Sequence, residues 1–494
     1  MKDFLKLNKD ETGIECRFAT YVKSPQPGMP DLHLVKEQVH MVDGSIVPTL
    51  KPVYDYERPY WIVKKGYRNF KQPKEWIEKD RVNEFYSTQS ELLYKAAASL
   101  GKPYFRKSIK DLAAESPYLF GIDIKSTAVI KQDYMVQYPE LKTEYSVGVF
   151  DTEVDVINGT DEITMATFSF GEICFTAVQR SVFKGIANPE QEVKDQTNKY
   201  LETYITKRGI KPTLLLVDSE IDVLIETFKI IHAAKPDFLS IWNIKFDITK
   251  ILEACERANY PIEHLMCDPS VPNEYRSFSF IIGPNQKKTA NGTMSPIKPA
   301  AQWHTVKCPA SFYVIDAMCA YRHTRAGEQE KKSYSLDAIL GEELNLGKLK
   351  FDAANHLSGL AWHKFMQEFY PVEYVVYNRF DCIGMELLED KVKDLRVVLP
   401  QFSGSSDFED FKSQPRRKVD VLHWFVQEHN RVMGCTSSAL INEELDPMIL
   451  SRDDWIITLA PALTTREGLK IIEESPDQTT SVYAHVGDLD VSGS

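Results

Sequence analysis

Residues 144–154, EYSVGVFDTEV, carry two carboxylates at the end of an apolar strand pattern. Side chains alternate between the two faces of a strand, so Asp151 and Glu153 share a face with Val147 and Val149. Two carboxylates that continue a buried face are costly unless a cation offsets their charge. Mg²⁺ and Mn²⁺ prefer oxygen ligands of this kind. The triplet therefore predicts a metal site, although a strand that runs into solvent with two surface acids is an open alternative.

The sequence around this stretch predicts an α/β domain. EITMATFSF at 162–170 and EICFTAVQR at 172–180 have the composition of two further strands. An amphipathic helix pattern, IDVLIETFKIIHAA at 221–234, follows with a capping-box-like start, and FLSIWN at 238–243 is typical of a buried strand. Strands and helices alternate in this way to about residue 390, which favours an α/β architecture.

A second acidic motif, NIKFD at 243–247, lies where the strand FLSIWN passes into a helix. Ligand sites in open α/β sheets gather at the carboxyl ends of strands, so Asp247 is a candidate ligand. The alternative is that Asp247 serves only as the N-cap of the helix.

A third motif, YNRFD at 377–381, lies within the helical pattern PVEYVVYNRFDCIGMELLED. Tyr377 and Asp381 are four residues apart and therefore share one helical face. A core tyrosine with an unrelated aspartate nearby would give the same pattern.

Together the three motifs form a more specific signal than any one of them. They occur in the order D-x-E, N-x-x-F-D and Y-x-x-x-D, with 94 residues from Glu153 to Asp247 and 134 from Asp247 to Asp381. At these residues the chain resembles the DEDDy exonuclease domains of family B DNA polymerases, with all three motifs matched. The likeness extends over 218–247 and 332–352, is closest to bacteriophage replicative polymerases, and covers the chain from roughly residue 100 onward.

The resemblance implies a two-metal 3′–5′ exonuclease that uses two Mg²⁺ or Mn²⁺ ions. Asp151 would bridge the ions, Glu153 and Asp381 would complete the first site, and Asp247 would hold the second. Tyr377 would orient the attacking water. Such clamping of attacking and leaving oxygens is the general logic of two-metal hydrolysis.

The same resemblance implies the substrate and partners. Asn243 and Phe246 would line the pocket for the terminal nucleotide of a single-stranded DNA 3′ end, because single strands are gripped by stacking and backbone contacts. Primer–template DNA, a second polypeptide and a sliding clamp are the further candidate partners.

The composition and net charge bear on the expected DNA binding, membrane association and metal or disulfide sites. The net charge of −12 weakens the case for avid duplex binding by this chain alone. No apolar run approaches the roughly 20 residues that span a bilayer, and the start of the chain has no signal-peptide pattern. None of the eight cysteines forms a C-x-x-C pair. We expect a protein without a membrane partner, in the cytoplasm of an infected bacterial cell if it is viral.

The fold class expected from the sequence is a multidomain protein with α/β and α+β domains. An N-terminal α+β domain at 1–140, with a template-binding or structural role, precedes an RNase H-like exonuclease domain with a mixed sheet at 141–395. A helical connection at 396–482, which we expect to pack back on the N-terminal domain, leads to the first strand of a palm domain at 483–494. The loop at 283–302 is a candidate hairpin tip, and its Lys287, Lys288 and Lys298 could touch DNA.

The final residues, GDLDVSGS at 487–494, resemble the beginning of the first palm motif, with Asp490 at the position of a polymerase-site metal ligand. The match ends at Gly493, and the later palm motifs are absent. The chain is therefore expected to be the amino-terminal part of a split or truncated polymerase, completed by a polypeptide that carries the remaining palm, fingers and thumb. The alternatives are that these residues are a linker remnant, that the chain is a stand-alone exonuclease, or that it is an inactive nucleic-acid-binding scaffold that uses the basic aromatic segment 58–74.

Overall fold

A computed structural model describes residues 3–434, except 27, 68–75, 104, 290–291, 348, 350 and 400–413, together with two short strands further along the chain. Those strands, at Glu474–Ser475 and Gln478–Thr479, pair with each other. The expected palm strand at 483–494, Asp490 included, lies outside the described residues, as does most of 396–482. The described chain is mixed α/β, with one large sheet and several small ones.

The N-terminal region contains two three-stranded sheets, ordered β1-β2-β3 and β6-β4-β7, and three helices. Its strands are β1 (Glu11–Val22), β2 (Leu32–Met41), β3 (Ile46–Tyr54), β4 (Arg58–Val63), β5 (Trp76–Glu78), β6 (Val82–Ser87) and β7 (Leu119–Phe120), and its helices are α1 (Leu92–Ser99), α2 (Ile109–Glu115) and α3 (Ser126–Gln137). Helix α2 begins at Ser108 with a capping box to Asp111, which satisfies two otherwise free backbone donors.

The central region runs from β8 to α11. Its strands are β8 (Val147–Val154), β9 (Ile163–Phe170), β10 (Ile173–Gln179), β11 (Lys211–Val217), β12 (Phe238–Ile241), β13 (Ser279–Ile281), β14 (Gln286–Lys288), β15 (Met294–Pro296), β16 (Thr305–Lys307) and β17 (Tyr313–Asp316). Its helices are α4 (Pro189–Arg208), α5 (Glu220–Ala234), α6 (Ile244–Arg257), α7 (Ile262–Met266), α8 (Ala317–Thr324), α9 (Leu336–Leu344), α10 (Gly359–Phe369) and α11 (Pro371–Val392). The candidate hairpin tip at 283–302 contains the antiparallel pair β14 and β15, with Lys287 and Lys288 exposed on β14.

Six of these strands form a mixed sheet in the order β11-β10-β9-β8-β12-β17. Strand β9 is antiparallel to both β8 and β10, whereas β12 is parallel to β8 and to β17. Strand β8, which carries the D-x-E triplet, is therefore central. The registers pair Asp151 with Thr167 and Val149 with Ser240, so the triplet extends beyond the end of the β8–β12 pairing.

Helices cover both faces of this sheet. Successive side chains of β8 point to opposite faces and therefore contact different helices. Phe150 and Val154 belong to the apolar cluster that includes Phe228 of α5 and Ile248 of α6. Val149 belongs to a second cluster with Phe380 of α11 on the other face. From Val149 onward, the odd-numbered residues of β8 therefore face α11, and the even-numbered ones face the layer formed by α5 and α6.

A buried ion pair joins the N-terminal region to the start of β8. The Arg17 Nε donates to Asp237 Oδ2 at 3.2 Å, and the same oxygen accepts from the backbone N–H of Ser146 at 2.8 Å. The Phe18 ring stacks on Tyr313 of β17 with centroids 3.8 Å apart. Removing Arg17 would leave the buried Asp237 carboxylate without its ion-pair partner, which is strongly destabilising.

The chain returns to the N-terminal region after α11. Helix α12 (Gln414–Glu428) lies in the expected helical connection and leads to β18 (Arg431–Met433), which pairs antiparallel with β5. Val432 is fully buried in the apolar cluster of the N-terminal region. The backbone N–H of Gly121 also donates to the Met433 carbonyl at 3.1 Å. A segment distant in sequence thus completes this part of the core.

Among the described residues, no helix has both the length and the apolarity that crossing a bilayer requires. The cysteines in this part of the chain are all free thiols, and six of the seven are buried. Burial raises the pKa of these thiols, for example that of Cys174 to about 11, so they remain protonated and act as small apolar groups.

Candidate metal centre

Three of the predicted carboxylates meet at one point. Asp151 and Glu153 on β8 and Asp381 on α11 each place a carboxylate oxygen within 4.8 Å of the other two. The two strand residues project toward α11 because they have the parity of Val149. The helix contributes Asp381 from the turn that follows Tyr377. Such a separation suits a shared cation, since hard divalent ions take several carboxylate oxygens at once.

Burial and mutual repulsion perturb this cluster. Burial raises the pKa of Asp151 well above its ordinary value, and the charges of Asp247, Glu153 and Asp381 raise it further. A hydrogen bond from Asn378 Nδ2 to Asp151 Oδ2, 2.7 Å long, acts in the opposite direction. Asn378 is fully buried, so this donor is fixed in place. The arrangement concentrates negative charge that a cation would stabilise.

Glu153 is held by a chain of hydrogen bonds that the sequence analysis did not identify. The Tyr374 hydroxyl donates to Glu153 Oε2. The Nδ1 of His363 lies 2.8 Å from the same hydroxyl and 3.9 Å from the Glu153 oxygen. Burial and the Glu153 charge raise the pKa of Tyr374 well above its usual value, so the hydroxyl keeps its proton and remains a donor.

Tyr377 lies beside the three acids. It is nearly buried, and its ring packs edge-on against Trp362 with centroids 4.8 Å apart. Burial, followed by the charges of Asp381 and Glu153 and a hydrogen bond to Asp381, raises its pKa well above the ordinary value. Tyr377 is therefore a protonated hydroxyl fixed at the edge of the cluster.

Helix α11 is anchored by a buried arginine next to these residues. Arg379 donates to Thr176 Oγ1 at 3.0 Å, to Thr197 Oγ1 at 2.8 Å and to the Thr213 carbonyl at 2.7 Å. These bonds tie the helix to α4 and to the sheet. They fix the rotation of α11, and with it the direction in which Asp381 projects.

Asp247 occupies a different position from the other three acids. It lies one turn inside α6, whose N-cap is Asn243, so the alternative that Asp247 is the N-cap is wrong. Its Oδ1 accepts from the Thr152 hydroxyl at 2.6 Å and from the Thr152 backbone N–H at 3.3 Å. Thr152 faces the layer of α5 and α6 because it has the parity of Phe150. Asp247 therefore approaches the cluster from the other side of β8.

The second oxygen of Asp247 has no hydrogen-bond partner although it is buried. Burial raises the pKa of Asp247 to about 7, while the Thr152 bonds lower it. A buried carboxylate oxygen without a partner is unfavourable unless something else satisfies it. This orphaned atom, together with a donor set made only of oxygens, fits a divalent cation.

A cleft of about 580 Å³ opens beside Tyr377 and Asp381. The residues that line it are Trp242, Asn243, Met318, Arg322, Tyr334, Ser335, Leu336, Asp337, His363, Tyr377 and Asp381. Phe246, predicted to line the nucleotide pocket, is not among them. It lies on the first turn of α6 with 38% of its surface exposed and with the Lys250 ammonium 5.9 Å from its ring centroid.

The predicted residues therefore divide into groups. Asp151, Glu153, Asp381 and Tyr377 meet at one site, and Asp247 adjoins them through Thr152. Asn243 lines the cleft and Phe246 is exposed nearby on α6. A comparison with protein-family models gives no match, and a comparison with curated proteins gives none either. The resemblance to polymerase exonucleases thus rests on the motifs themselves.

Proposed function

We propose that this chain is the proofreading 3′–5′ exonuclease part of a family B DNA polymerase and removes 3′-terminal deoxynucleotides by two-metal hydrolysis. The observation that carries the proposal is the convergence of Asp151, Glu153 and Asp381 from a strand and a helix 228 residues apart in sequence. The mixed sheet with the acids on its central strand supports an RNase H-like domain for this function.

The four acids would hold two Mg²⁺ or Mn²⁺ ions, with Asp151 shared, Glu153 and Asp381 on the first ion and Asp247 on the second. Bound divalent cations supply charge stabilisation for a phosphodiester and lower the pKa of a bound water. The orphaned Asp247 Oδ2 is the atom that such a second ion would satisfy.

The remaining roles belong to the protein's own side chains. Tyr377 keeps its proton and can hold a water by its hydroxyl at the edge of the cluster. Asn378 and Tyr374 hold Asp151 and Glu153 in fixed orientations. Asn243 lines the cleft where the terminal nucleotide would lie, and the exposed ring of Phe246 is available for stacking.

The test is the double variant Asp151→Ala with Glu153→Ala. We expect it to lose Mg²⁺-dependent release of deoxynucleoside monophosphates from a 5′-labelled single-stranded oligodeoxynucleotide. The matched control is Glu190→Ala with Glu192→Ala, which removes two exposed acids from the first turn of α4. Undiminished release by the active-site double variant, in a preparation free of contaminating nuclease, would refute the assignment.

We further propose that Asp490 is a metal ligand of a polymerase site. This part rests on the resemblance of residues 487–494 to the first palm motif. Nucleotide incorporation by the protein isolated from its native source is expected, together with its loss in Asp490→Ala. Exonuclease activity of the native protein without any nucleotide incorporation would favour the stand-alone exonuclease instead.

A further inference from the structure

The cleft beside the metal centre has one wall to which the proposed mechanism gives no role. This wall comes from the last turn of α8 and from the segment that leads into α9. Arg322 on α8 and Tyr334 before α9 both line the cleft. The Arg322 guanidinium lies over the Tyr334 ring, 4.2 Å from its centroid, in the geometry of a cation–π contact.

Arg322 has an unused donor in a buried position. Its Nε is buried and has no hydrogen-bond partner in the described part of the chain. Arg325, the residue that follows the last residue of α8, shows the contrast. Its guanidinium donates to Asp394 Oδ2 at 2.7 Å and to the Thr324 hydroxyl at 2.7 Å. Arg325 is thus paired within the fold, whereas the Nε of Arg322 is not.

The surroundings hold the Arg322 guanidinium in place. Tyr334 is held at both ends. Its backbone carbonyl accepts from the Trp242 indole N–H at 3.1 Å, and the Tyr334 hydroxyl accepts from the Lys331 backbone N–H at 3.3 Å. The first turn of α8 is capped by Asp316, which accepts from the Cys319 backbone N–H at 2.9 Å. A guanidinium on a fixed aromatic platform loses little entropy when it binds an anion.

The chemistry of the cleft indicates which anion this would be. A DNA strand that reaches Asp381 brings negative phosphates past carboxylates, and this repulsion must be offset for binding. Of the described residues that line the cleft, Arg322 is the one lysine or arginine. Guanidinium and phosphate form strong, charge-assisted and often bidentate hydrogen bonds.

We propose that Arg322, held on Tyr334, binds a backbone phosphate of the single-stranded DNA 3′ end in this cleft. The identity of the ligand rests on the exonuclease function proposed above. Arg322 acts in binding the strand, and the chemical step belongs to the carboxylate cluster and Tyr377.

The test measures binding without hydrolysis. Fluorescence anisotropy of a 5′-labelled oligo(dT) strand is recorded in EDTA with the full-length protein across a series of salt concentrations. We expect Arg322→Ala to raise Kd about tenfold or more, since a hydrogen bond to a charged group is lost. We also expect the slope of log Kd against log salt to fall by about 0.7, the value for one phosphate contact on a single strand. A merely structural role would leave that slope unchanged.

Three variants serve as controls. Arg322→Lys keeps the charge and is expected to retain the salt slope with part of the affinity. Arg322→Gln removes the charge but keeps a long polar side chain, so it tests the proposal if Arg322→Ala does not fold. Lys211→Ala removes one exposed cation at the first residue of β11, which pairs with the first residue of β10 at the far edge of the sheet. Lys211→Ala should change neither Kd nor slope by a comparable amount.

The proposal is overturned if Arg322→Ala and Arg322→Gln bind oligo(dT) with the Kd and salt slope of the unmodified protein. It is also overturned if Lys211→Ala produces the same change, because net charge would then account for the effect. Failure of the exonuclease proposal is distinguishable, since it would appear as absent nucleotide release by the unmodified protein in Mg²⁺ while the binding data in EDTA stand by themselves.

Discussion

Replacing Tyr374 with phenylalanine tests whether the hydrogen-bond chain behind Glu153 tunes the metal centre. The change removes one oxygen and leaves the ring in its packing against Trp362 and Tyr377, with centroids 6.0 Å and 5.8 Å away. Glu153 loses the hydroxyl that donates to its Oε2, and His363 loses its 2.8 Å partner. The carboxylate can then rotate away from the orientation that faces Asp151 and Asp381.

The expected loss of metal affinity in Tyr374→Phe can be taken from other metal sites, where groups that hydrogen-bond to a metal ligand have been removed. Loss of a group that orients a metal ligand costs about 10- to 100-fold in metal affinity or activity, or about 1.4–2.7 kcal/mol. We therefore expect the Mg²⁺ concentration that gives half-maximal nucleotide release to rise by about one to two orders of magnitude in Tyr374→Phe. Isothermal titration with Mn²⁺ in the absence of DNA should show a matching loss of affinity.

Tyr56→Phe is the matched control. The Tyr56 hydroxyl donates to Asp133 Oδ2 at 2.7 Å, and the residue is buried in the N-terminal region. Both variants lose a tyrosine–carboxylate hydrogen bond, so both should lower the unfolding temperature, but Tyr56→Phe should leave the metal dependence unchanged. An unaltered Mg²⁺ dependence in Tyr374→Phe, with a fall in unfolding temperature like that of Tyr56→Phe, would refute the orienting role.

Two further predictions concern stability. Thr152→Val removes the 2.6 Å hydrogen bond to Asp247, so in EDTA at pH 8 we expect chemical denaturation to show a loss of about 1–3 kcal/mol. Burial raises the pKa of Asp247 to about 7, so its charge is largely absent at pH 5 and the loss of unfolding free energy should be smaller there. A loss at pH 5 equal to that at pH 8 would contradict this account. Burial lowers the pKa of His33 in the folded protein to about 4. As the pH falls, the His33 imidazole is therefore protonated in the unfolded chain before it is protonated in the folded one. The unfolding free energy should therefore decrease from pH 6.5 toward pH 4 by up to about 3 kcal/mol. His33→Gln should flatten this dependence and His356→Gln, at an exposed position, should not; a slope that His33→Gln leaves intact would show that other groups cause it.

The part of the site that the sequence could predict was set by local periodicity. The period of two along β8 places Asp151 and Glu153 on one face, and the helical period places Tyr377 and Asp381 on one face. Both patterns act over a few residues, so they can be recognised without tertiary information. The predicted strands around 162–170 and 172–180 likewise correspond to β9 and β10.

The supporting contacts could not be predicted because they join segments distant in sequence. Asn378 lies next to Tyr377, and Tyr374 lies one turn before it, so the helical period could have pointed to both. Their partners on β8, however, are more than 200 residues away in sequence. His363 lies on a separate helix, and no local pattern marks it. No sequence pattern marks Thr152, because its role depends on a hydrogen bond to Asp247 in the opposite layer from its charged neighbours.

The alternative that Asp247 is the N-cap of α6 is wrong for a physical reason, whereas its assignment as a metal ligand stays a prediction. A strand–helix junction offers several residues that could cap the helix, and the choice depends on where helical backbone angles begin. Helix α6 begins at Ile244, which makes Asn243 the cap and places Asp247 one turn inside. The carboxylate is then placed to accept hydrogen bonds from Thr152.

The pairing of β18 with β5 has a consequence for the order in which the protein can fold during synthesis. A ribosome releases residues 76–78 long before Val432, and the whole six-stranded sheet emerges between them. Until then the backbone N–H groups of Lys79 and Gly121 lack their acceptors at Asn430 and Met433. Closing so long a loop is slow and entropically costly, whereas the strands of the central sheet are closer together in sequence. The six-stranded sheet is thus free to assemble first on a nascent chain, and of these two described regions the N-terminal region is completed later.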